Sequence, residues 1–96
     1  MEHRNYTYII ECSDGSLYTG WTNCIEKRIR EHNNGTGAKF TRGRGPVTLR
    51  YLEISETKSE AMKREAVIKK MNCAKKRQLI VDGELKKILE ENHICI

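Results

Sequence analysis

The 96-residue sequence contains no apolar run long enough to cross a membrane, and its first residues, MEHRNY, lack the apolar stretch of a secretory signal. We therefore expect a cytoplasmic protein without a membrane partner. With 38% hydrophobic and 32% charged residues, the composition is that of an ordinary globular protein. The length leaves room for one domain with a modest core.

Closely spaced cysteine pairs are also absent. The four cysteines, at positions 12, 24, 73 and 95, form no Cys-x-x-Cys motif and do not cluster with the three histidines. This spacing argues against a zinc site. In a chain without an export signal, we expect these cysteines to be reduced thiols.

Acidic residues are scarce in the middle of the chain. Between positions 39 and 77, twelve Lys or Arg residues stand against four Asp or Glu residues, within a chain of formal net charge +5. This distribution favours a polyanionic partner such as nucleic acid. A solvated basic surface without a specific ligand accounts for the same composition equally well.

A hairpin followed by a helix is predicted near the start of the chain. Two stretches rich in Tyr, Ile, Thr and Trp, Thr7 to Cys12 and Leu17 to Thr22, flank the turn-forming sequence SDGS. Tyr8 and Tyr18 then lie near each other across the strand pair. Gly20 leaves the sheet bare at one point, where another group can approach closely.

The helix after the hairpin carries charge on its inward side. Asn23, followed three residues later by Glu26, predicts a capped start. Helical spacing then places one arginine and one histidine on the apolar stripe, which consists of Ile25, Arg28, Ile29 and His32. An unpaired buried guanidinium is costly, so the arginine needs a role. A snorkelling arginine and a satisfied edge histidine explain the same pattern.

The next segment, NNGTGAKFTRGRGP, is too polar and rich in glycine for a regular element. It carries three cations around one aromatic side chain: Lys39, Arg42, Arg44 and Phe40. This pattern favours contact with nucleic acid, with the ring as a stacking platform. Alternatively, Phe40 only anchors a flexible connection to the core.

The second half of the chain predicts one strand and three helices. Residues 47–55 alternate as a third strand, with Val47, Leu49 and Tyr51 on one face. A capping box from Thr57 to Glu60 begins a helix that runs to about residue 71. Residues 73–81 and 84–91 predict two shorter helices.

Glu65 is a second charged residue on the side of a helix that is predicted to face the core. It shares the predicted inner side of its helix with Ala61, Met62 and Ile68. A carboxylate in such a place must be paired, protonated or bound to a metal. A salt bridge from Glu65 to Arg28 is the structural alternative to metal binding.

Tyr8, the tripeptide Tyr18-Thr19-Gly20 and the Arg28 and His32 pair occur in an order that resembles the GIY-YIG nuclease domain. Where the family has Gly-Ile-Tyr, residues 6–8 keep only the tyrosine, whereas residues 18–20 keep both ends of Tyr-Ile-Gly. The resemblance extends from about residue 6 to residue 80 and is closest to small stand-alone bacterial members.

The resemblance implies an α+β fold, with a small three-stranded antiparallel sheet flanked by helices in the order β-β-α-β-α-α. Residues 1–82 would form the nuclease domain, and residues 83–96 a helical tail packed on it or extending from it. Family members often carry a supporting asparagine beyond the glutamate helix, and Asn72 comes too early to match it.

The resemblance also implies a mechanism of phosphodiester hydrolysis. Deprotonated Tyr8 would take a proton from the attacking water, Arg28 would hold the scissile phosphate, and Glu65 would bind one Mg²⁺ or Mn²⁺. Tyr18 and His32 would complete the hydrogen-bond network, so these catalytic residues are expected to converge on one surface. Since tyrosine ordinarily titrates at about 10, we expect nearby positive charge to lower the pKa of Tyr8.

The implied partner is nucleic acid, DNA rather than RNA, with a second protein as a possible source of specificity. The expected contacts are basic residues and one ring: Lys27, Lys39, Phe40, Arg42, Arg44, Lys75, Lys76 and Arg77. A different class of function is a nucleic-acid-binding module on a catalytically weak scaffold. The inward Glu65 favours the enzyme, because a protein that only binds has no need of it.

Overall fold

The computed structural model describes residues 4–96, which form three strands and four helices. In chain order these are β1 Asn5–Glu11, β2 Leu17–Thr22, α1 Ile25–Asn33, β3 Thr48–Ser55, α2 Lys58–Lys69, α3 Cys73–Asp82 and α4 Leu85–Glu91. The strands form one antiparallel sheet in the order β2-β1-β3. The predicted α+β class, with a small antiparallel sheet flanked by helices, is confirmed. None of the helices within residues 4–96 is long and apolar enough to span a membrane.

The hairpin forms as its turn sequence predicts. Gly15 adopts a φ of 85°, a left-handed conformation that glycine tolerates without strain. The Asp14 carboxylate accepts a hydrogen bond of 3.0 Å from the Ser16 amide. In the resulting register Tyr8 lies opposite Gly20 on β2 and opposite Leu52 on β3.

The predicted face alternation of β3 is wrong because the strand contains a bulge. Ile9 lies opposite Tyr51 but Ile10 lies opposite Leu49, so Arg50 is the extra residue. As a result, Leu49 and Leu52 share one face and Tyr51 lies on the other. Sequence periodicity cannot show a bulge, because the inserted residue changes the phase of the strand.

The sheet is covered on both faces. One apolar cluster joins Tyr8, Ile10 and Leu52 to Ile25 and Ile29 of α1, with the apolar side of α4 packed against it. The second cluster, on the other face, joins Ile9, Leu17 and Ile68, with α3 packed against it through Leu79 and Ile80. Helices α1 and α4 therefore lie on one face and α2 and α3 on the other.

The predicted Asn23 cap of α1 is wrong. Cys24 occupies the N-cap position, and no side chain caps the helix there. Thr22 instead accepts a 3.1 Å hydrogen bond from the Cys24 amide, which fixes the turn before the helix. The helix ends at Asn33, and the loop after it contains one short regular element that was not predicted, the 3-10 helix Lys39–Thr41.

The later helices begin as predicted. The Thr57 hydroxyl accepts a 3.1 Å hydrogen bond from the Glu60 amide at the start of α2. The Asn72 side chain accepts one of 2.9 Å from the Lys75 amide and so caps α3. On α2, Ala61 and Ile68 are fully buried, whereas Met62 is 45% exposed. Met62 is therefore not part of the inner stripe that was predicted.

Replacing Ile68 with Ala should lower the free energy of unfolding by roughly 2–5 kcal/mol, because it empties a fully buried site beneath α2. The matched control is Val67→Ala on the same helix, where the side chain is 49% exposed and the change should stay within about 0.5 kcal/mol. Urea denaturation of both variants measures the difference. An equal loss of unfolding free energy in the two variants would contradict the assignment of Ile68 to the buried side of α2.

Candidate active site

Tyr8 is the centre of the site and is 1% exposed. Its ring lies over the strand position opposite it, where Gly20 has no side chain. A Cβ atom at Gly20 would lie 2.5 Å from the Tyr8 hydroxyl oxygen, which is closer than such atoms can come. The bare point in the sheet therefore accommodates the Tyr8 hydroxyl.

A chain of hydrogen bonds runs from Tyr8 through α1 into the following loop. The Tyr8 Oη atom is 2.9 Å from Nε2 of His32, a residue that is 1% exposed. On the other side of the ring, His32 Nδ1 is 2.8 Å from Thr41 Oγ1. The Thr41 hydroxyl donates its proton to the carbonyl oxygen of Ala38 at 2.9 Å.

These contacts determine the direction of each hydrogen bond. Because Thr41 gives its only proton to Ala38, it must accept a hydrogen bond from His32 Nδ1–H. Nε2 of a neutral His32 then has no proton and accepts the hydroxyl proton of Tyr8. The neutral form is favoured because burial, with a further contribution from the Arg28 charge, lowers the pKa of His32 to about 4.

The pKa of Tyr8 moves in the direction opposite to the sequence-based expectation. Burial raises it to about 12, which outweighs the lowering effect of the Arg28 guanidinium beside the hydroxyl. The expectation that positive charge lowers the pKa of Tyr8 is therefore wrong for the protein chain by itself. Tyr8 is therefore a neutral hydroxyl at pH 7 that donates a hydrogen bond to neutral His32.

Thr41 and Gly37 belong to the site, although sequence reasoning missed them. Thr41 is 1% exposed, and a Cβ atom at Gly37 would lie 2.6 Å from His32 Nδ1. Both lie in the loop after α1, for which the sequence predicts only a basic, glycine-rich segment. No periodicity identifies them, because the contact joins a loop to the buried side of the preceding helix.

Tyr18 and Phe40 cover the other side of His32. The Tyr18 ring lies 5.5 Å from the His32 ring and 6.5 Å from the Tyr8 ring, measured between centroids. Phe40 stacks on Tyr18 at 5.7 Å, and the Arg44 guanidinium lies 4.6 Å from the Phe40 ring centroid. Phe40 thus anchors the loop, while 41% of it stays exposed.

Arg28 is held at the mouth of the site. Its Nη1 atom is 3.2 Å from the Glu31 carboxylate one turn further along α1. The Arg28 side chain keeps 30% of its surface exposed, so it remains open to a ligand. The predicted alternative pairing of Arg28 with Glu65 is wrong, because Glu65 pairs with Lys69 at 3.8 Å.

Glu65 approaches the site from the second face of the sheet. Helix α2 packs on β1 and β2, and the Thr7 hydroxyl donates a 2.9 Å hydrogen bond to the carbonyl oxygen of Ala61. The Glu65 side chain is 20% exposed, and its negative charge contributes to the raised pKa of Tyr8. The structure thus brings Tyr8, Tyr18, Arg28 and His32 into one cluster and places Glu65 within electrostatic reach of Tyr8.

The donor groups near Glu65 restrict which metal they suit. No group of three His, Cys, Asp or Glu side chains comes together anywhere in residues 4–96, and His3 lies outside that range. A lone carboxylate suits Mg²⁺ or Mn²⁺, which keep several waters and use substrate oxygens as further ligands. It does not suit zinc, which needs three or four protein ligands. The four cysteines are free thiols.

Two of the predicted nucleic-acid contacts, Arg44 and Arg77, lie against the hairpin and its turn. From the loop, Arg44 pairs with Asp14 at 2.7 Å. From α3, Arg77 pairs with Glu11 at 3.3 Å and donates to the Gly15 carbonyl at 3.0 Å. The other predicted cations form no ion pair within residues 4–96, namely Lys27, Lys39, Arg42, Lys75 and Lys76.

The fold and this cluster of tyrosines, arginine and histidine define a nuclease-type catalytic domain. The GIY-YIG catalytic domain family matches residues 4–78, and the chain belongs to that family. It is 60% identical over 89 residues to a UPF0213 protein of Clostridium perfringens, covering 93% of this chain and 92% of that protein. It is 53% identical over 83 residues to a UPF0213 protein of Haloquadratum walsbyi, covering 86% and 93%.

Solved structures of similar proteins have the same fold. The solution NMR structure of a UPF0213 protein from Bacillus halodurans is 45% identical in sequence, with a TM-score of 0.55, and the match covers 84% of this chain and 87% of that one. A solution NMR structure of a protein from E. faecalis is 39% identical, with a TM-score of 0.56, covering 99% and 92%. The relatives are small stand-alone GIY-YIG domain proteins, and the family supports a nuclease-type function.

Acid should destabilise the fold through His32. Its pKa is about 4 in the folded chain and 6.5 ordinarily, so between these values only the unfolded chain binds a proton there. We expect the free energy of unfolding to fall by roughly 2–3 kcal/mol from pH 6.5 to about 4.5. Chemical denaturation across this range measures the loss.

The matched variant is His32→Gln, which should be less stable at pH 7 but should show a flat profile over the same range. The carboxylates with lowered pKa values, such as Glu11 and Glu53, lose their contribution only at lower pH. A wild-type profile that is equally flat would contradict a neutral, buried His32.

Thr41 should determine which ring nitrogen of His32 carries the proton. Thr41→Val removes the oxygen that accepts from Nδ1–H, so the tautomer with a proton on Nε2 should become populated, whereas Thr41→Ser should keep the original tautomer. The ¹⁵N chemical shifts of the His32 ring distinguish the two forms. Identical ring shifts in wild type and Thr41→Val would show that another group sets the tautomer.

Proposed function

We propose that the protein is a metal-dependent endonuclease that hydrolyses phosphodiester bonds in DNA. The hydrogen-bond chain from Tyr8 through His32 to Thr41, with Arg28 beside the Tyr8 hydroxyl, is the observation that carries the proposal. It supplies a proton acceptor and a phosphate-binding cation at one place. A protein that only binds nucleic acid needs neither a buried neutral histidine nor a tyrosine held against it.

Tyr8 and His32 act together as the base. The attacking water gives a proton to Tyr8 Oη as the Tyr8 hydroxyl proton moves to His32 Nε2. A bond forms between the water oxygen and phosphorus, the bond to the leaving oxygen breaks, and solvent protonates that oxygen. The His32 imidazolium then releases its proton to solvent, as its pKa of about 4 favours, and the neutral ring is restored. In this scheme Tyr8 never has to be a stable phenolate, which its pKa of about 12 disfavours.

Arg28 binds the phosphate that reacts. Its guanidinium is planar and carries several donors, which suits two phosphate oxygens at once. The ion pair with Glu31 holds it in place at 3.2 Å before substrate arrives. Tyr18 packs against both Tyr8 and His32 and keeps the two rings in position.

Glu65 would hold the Mg²⁺ or Mn²⁺ ion. When bound there, the cation would neutralise charge that develops on the phosphate and would favour ionisation of nearby Tyr8, where free Glu65 opposes it. The carboxylate is available for this role, since its only ion pair within residues 4–96 is the long contact of 3.8 Å with the half-exposed Lys69.

DNA is the proposed partner because several cations on the loop, on α3 and beside Arg28 form no ion pair within residues 4–96. Lys39, Arg42, Lys75 and Lys76 carry no counter-charge in the described chain, and Lys27 lies next to Arg28 on α1. Contacts of this kind bind phosphates without reading sequence. A protein partner would therefore supply any sequence specificity.

Glu65→Gln should abolish most of the cleavage while leaving the fold intact. Loss of the metal-binding charge should reduce nicking by roughly two or more orders of magnitude. Because the pair of Glu65 with Lys69 is long, at 3.8 Å, and its lysine is half exposed, the free energy of unfolding should change by less than about 1 kcal/mol. Nicking of plain, nicked and branched DNA duplexes, with and without Mg²⁺, and thermal unfolding measure both effects.

The matched control is Glu60→Gln, the same substitution at an exposed position of α2, which should cleave at the wild-type rate. DNA affinity should be retained in both variants, since neither substitution adds negative charge near the phosphate. Normal cleavage by Glu65→Gln would remove that residue from the active site. No cleavage of any duplex by the wild type with Mg²⁺, despite binding, would favour the binding module.

A further inference from the structure

A cavity of about 300 Å³ adjoins Arg28 where β2 ends and α1 begins. The hydrogen-bond chain of the active site does not use it. Its lining is Trp21, Thr22, Asn23, Cys24, Lys27, Arg28 and Glu31. This volume is at the low end of the roughly 300–1,000 Å³ of small-molecule sites, which suits one nucleotide.

The Trp21 ring is the largest apolar surface in this lining. Trp21 is the one tryptophan of the chain, and its side chain is half-buried rather than fully buried in the core. The Lys58 ammonium lies 5.3 Å from the ring centroid, so the cation holds the indole in place. An indole that is held in place and partly open, with Lys27 and Arg28 in the same lining, is an arrangement on which nucleic-acid bases stack.

The charges around the cavity suit a phosphate on each side of a base. Lys27 is exposed and forms no ion pair within residues 4–96. Arg28 lines the cavity and also lies beside the Tyr8 hydroxyl. Glu31, the one acid in the lining, is already paired with Arg28 at 3.2 Å. An anion in the cavity would therefore meet uncompensated positive charge at Lys27.

We propose that this cavity binds the nucleotide next to the scissile phosphate, with its base on Trp21, its outer phosphate at Lys27 and its scissile phosphate at Arg28. The proposal rests on the proposed nuclease function and adds the subsite that positions the strand. A base in the cavity has left the duplex stack. Trp21 is thus a substrate-positioning residue that the sequence motif does not include.

The single tryptophan makes the test direct. Oligothymidylate, added to the full chain in EDTA to prevent cleavage, should quench Trp21 fluorescence with a saturable dependence. Inorganic phosphate at the same concentration should not quench it. An abasic oligonucleotide of equal length should bind at least about fivefold more weakly, because it has no base to stack.

Variants separate stacking from charge. By anisotropy of a labelled oligothymidylate, Trp21→Leu should bind at least about fivefold more weakly, whereas Trp21→Phe should retain most of the affinity. Lys27→Gln should reduce the log-log salt slope of binding by about 0.7. Lys86→Gln, an exposed lysine on α4, should leave it unchanged.

Binding without any change in Trp21 fluorescence would overturn the proposal, as would quenching by inorganic phosphate or no binding at all. These outcomes differ from failure of the nuclease function. If oligothymidylate quenches Trp21 specifically but the protein never cleaves DNA, the cavity does bind a nucleotide and the proposed nuclease function is wrong. Cleavage by wild type and Trp21→Leu with equal KM would keep the enzyme and reject the cavity assignment.

Discussion

The hydrogen bond between Tyr8 and His32 is the constraint on which the rest of the site depends. It joins the central strand of the sheet to the helix on its first face, at 2.9 Å and with both residues 1% exposed. Its geometry requires two glycines, because a side chain at position 20 would collide with the Tyr8 hydroxyl and one at position 37 with the His32 ring. It also explains why a loop of little regular structure is ordered, since Thr41 must meet the far side of that ring.

Burial gives this pair its chemistry. Both groups are held neutral, because removal from water raises the pKa of Tyr8 and lowers that of His32. A tyrosine that donates to a neutral histidine can accept a proton from water without first becoming an anion. In the proposed mechanism the tyrosine and histidine of the family motif therefore act as one unit, with Thr41 fixing the orientation of the histidine ring.

In the proposed active site, residues from both faces of the sheet act together. Tyr8, Tyr18 and α1 lie on one face, and α2 with Glu65 lies on the other. Strand β2 is one edge of this three-stranded sheet, and both Tyr8 on one face and α2 on the other pack against it. Because Gly20 on β2 has no side chain, the Tyr8 hydroxyl can lie over this strand. The cavity beside Trp21 and Arg28 opens at the end of the same strand.

The sequence by itself determined the features that depend on near neighbours. The SDGS turn, the Thr57 cap and the strand composition set the order of elements, and the spacing of Tyr8, Tyr18, Arg28, His32 and Glu65 identified the family and its candidate residues. Tertiary structure alone decided the bulge at Arg50, the exposure of Met62, the pairing of Glu65 with Lys69 and the contact from Thr41 to His32. It also decided the direction of the pKa shift of Tyr8, which burial raises although the sequence predicts a lowered value. The physical reason is that register, burial and desolvation depend on groups distant in the sequence, whereas turns and caps depend on residues within a few positions.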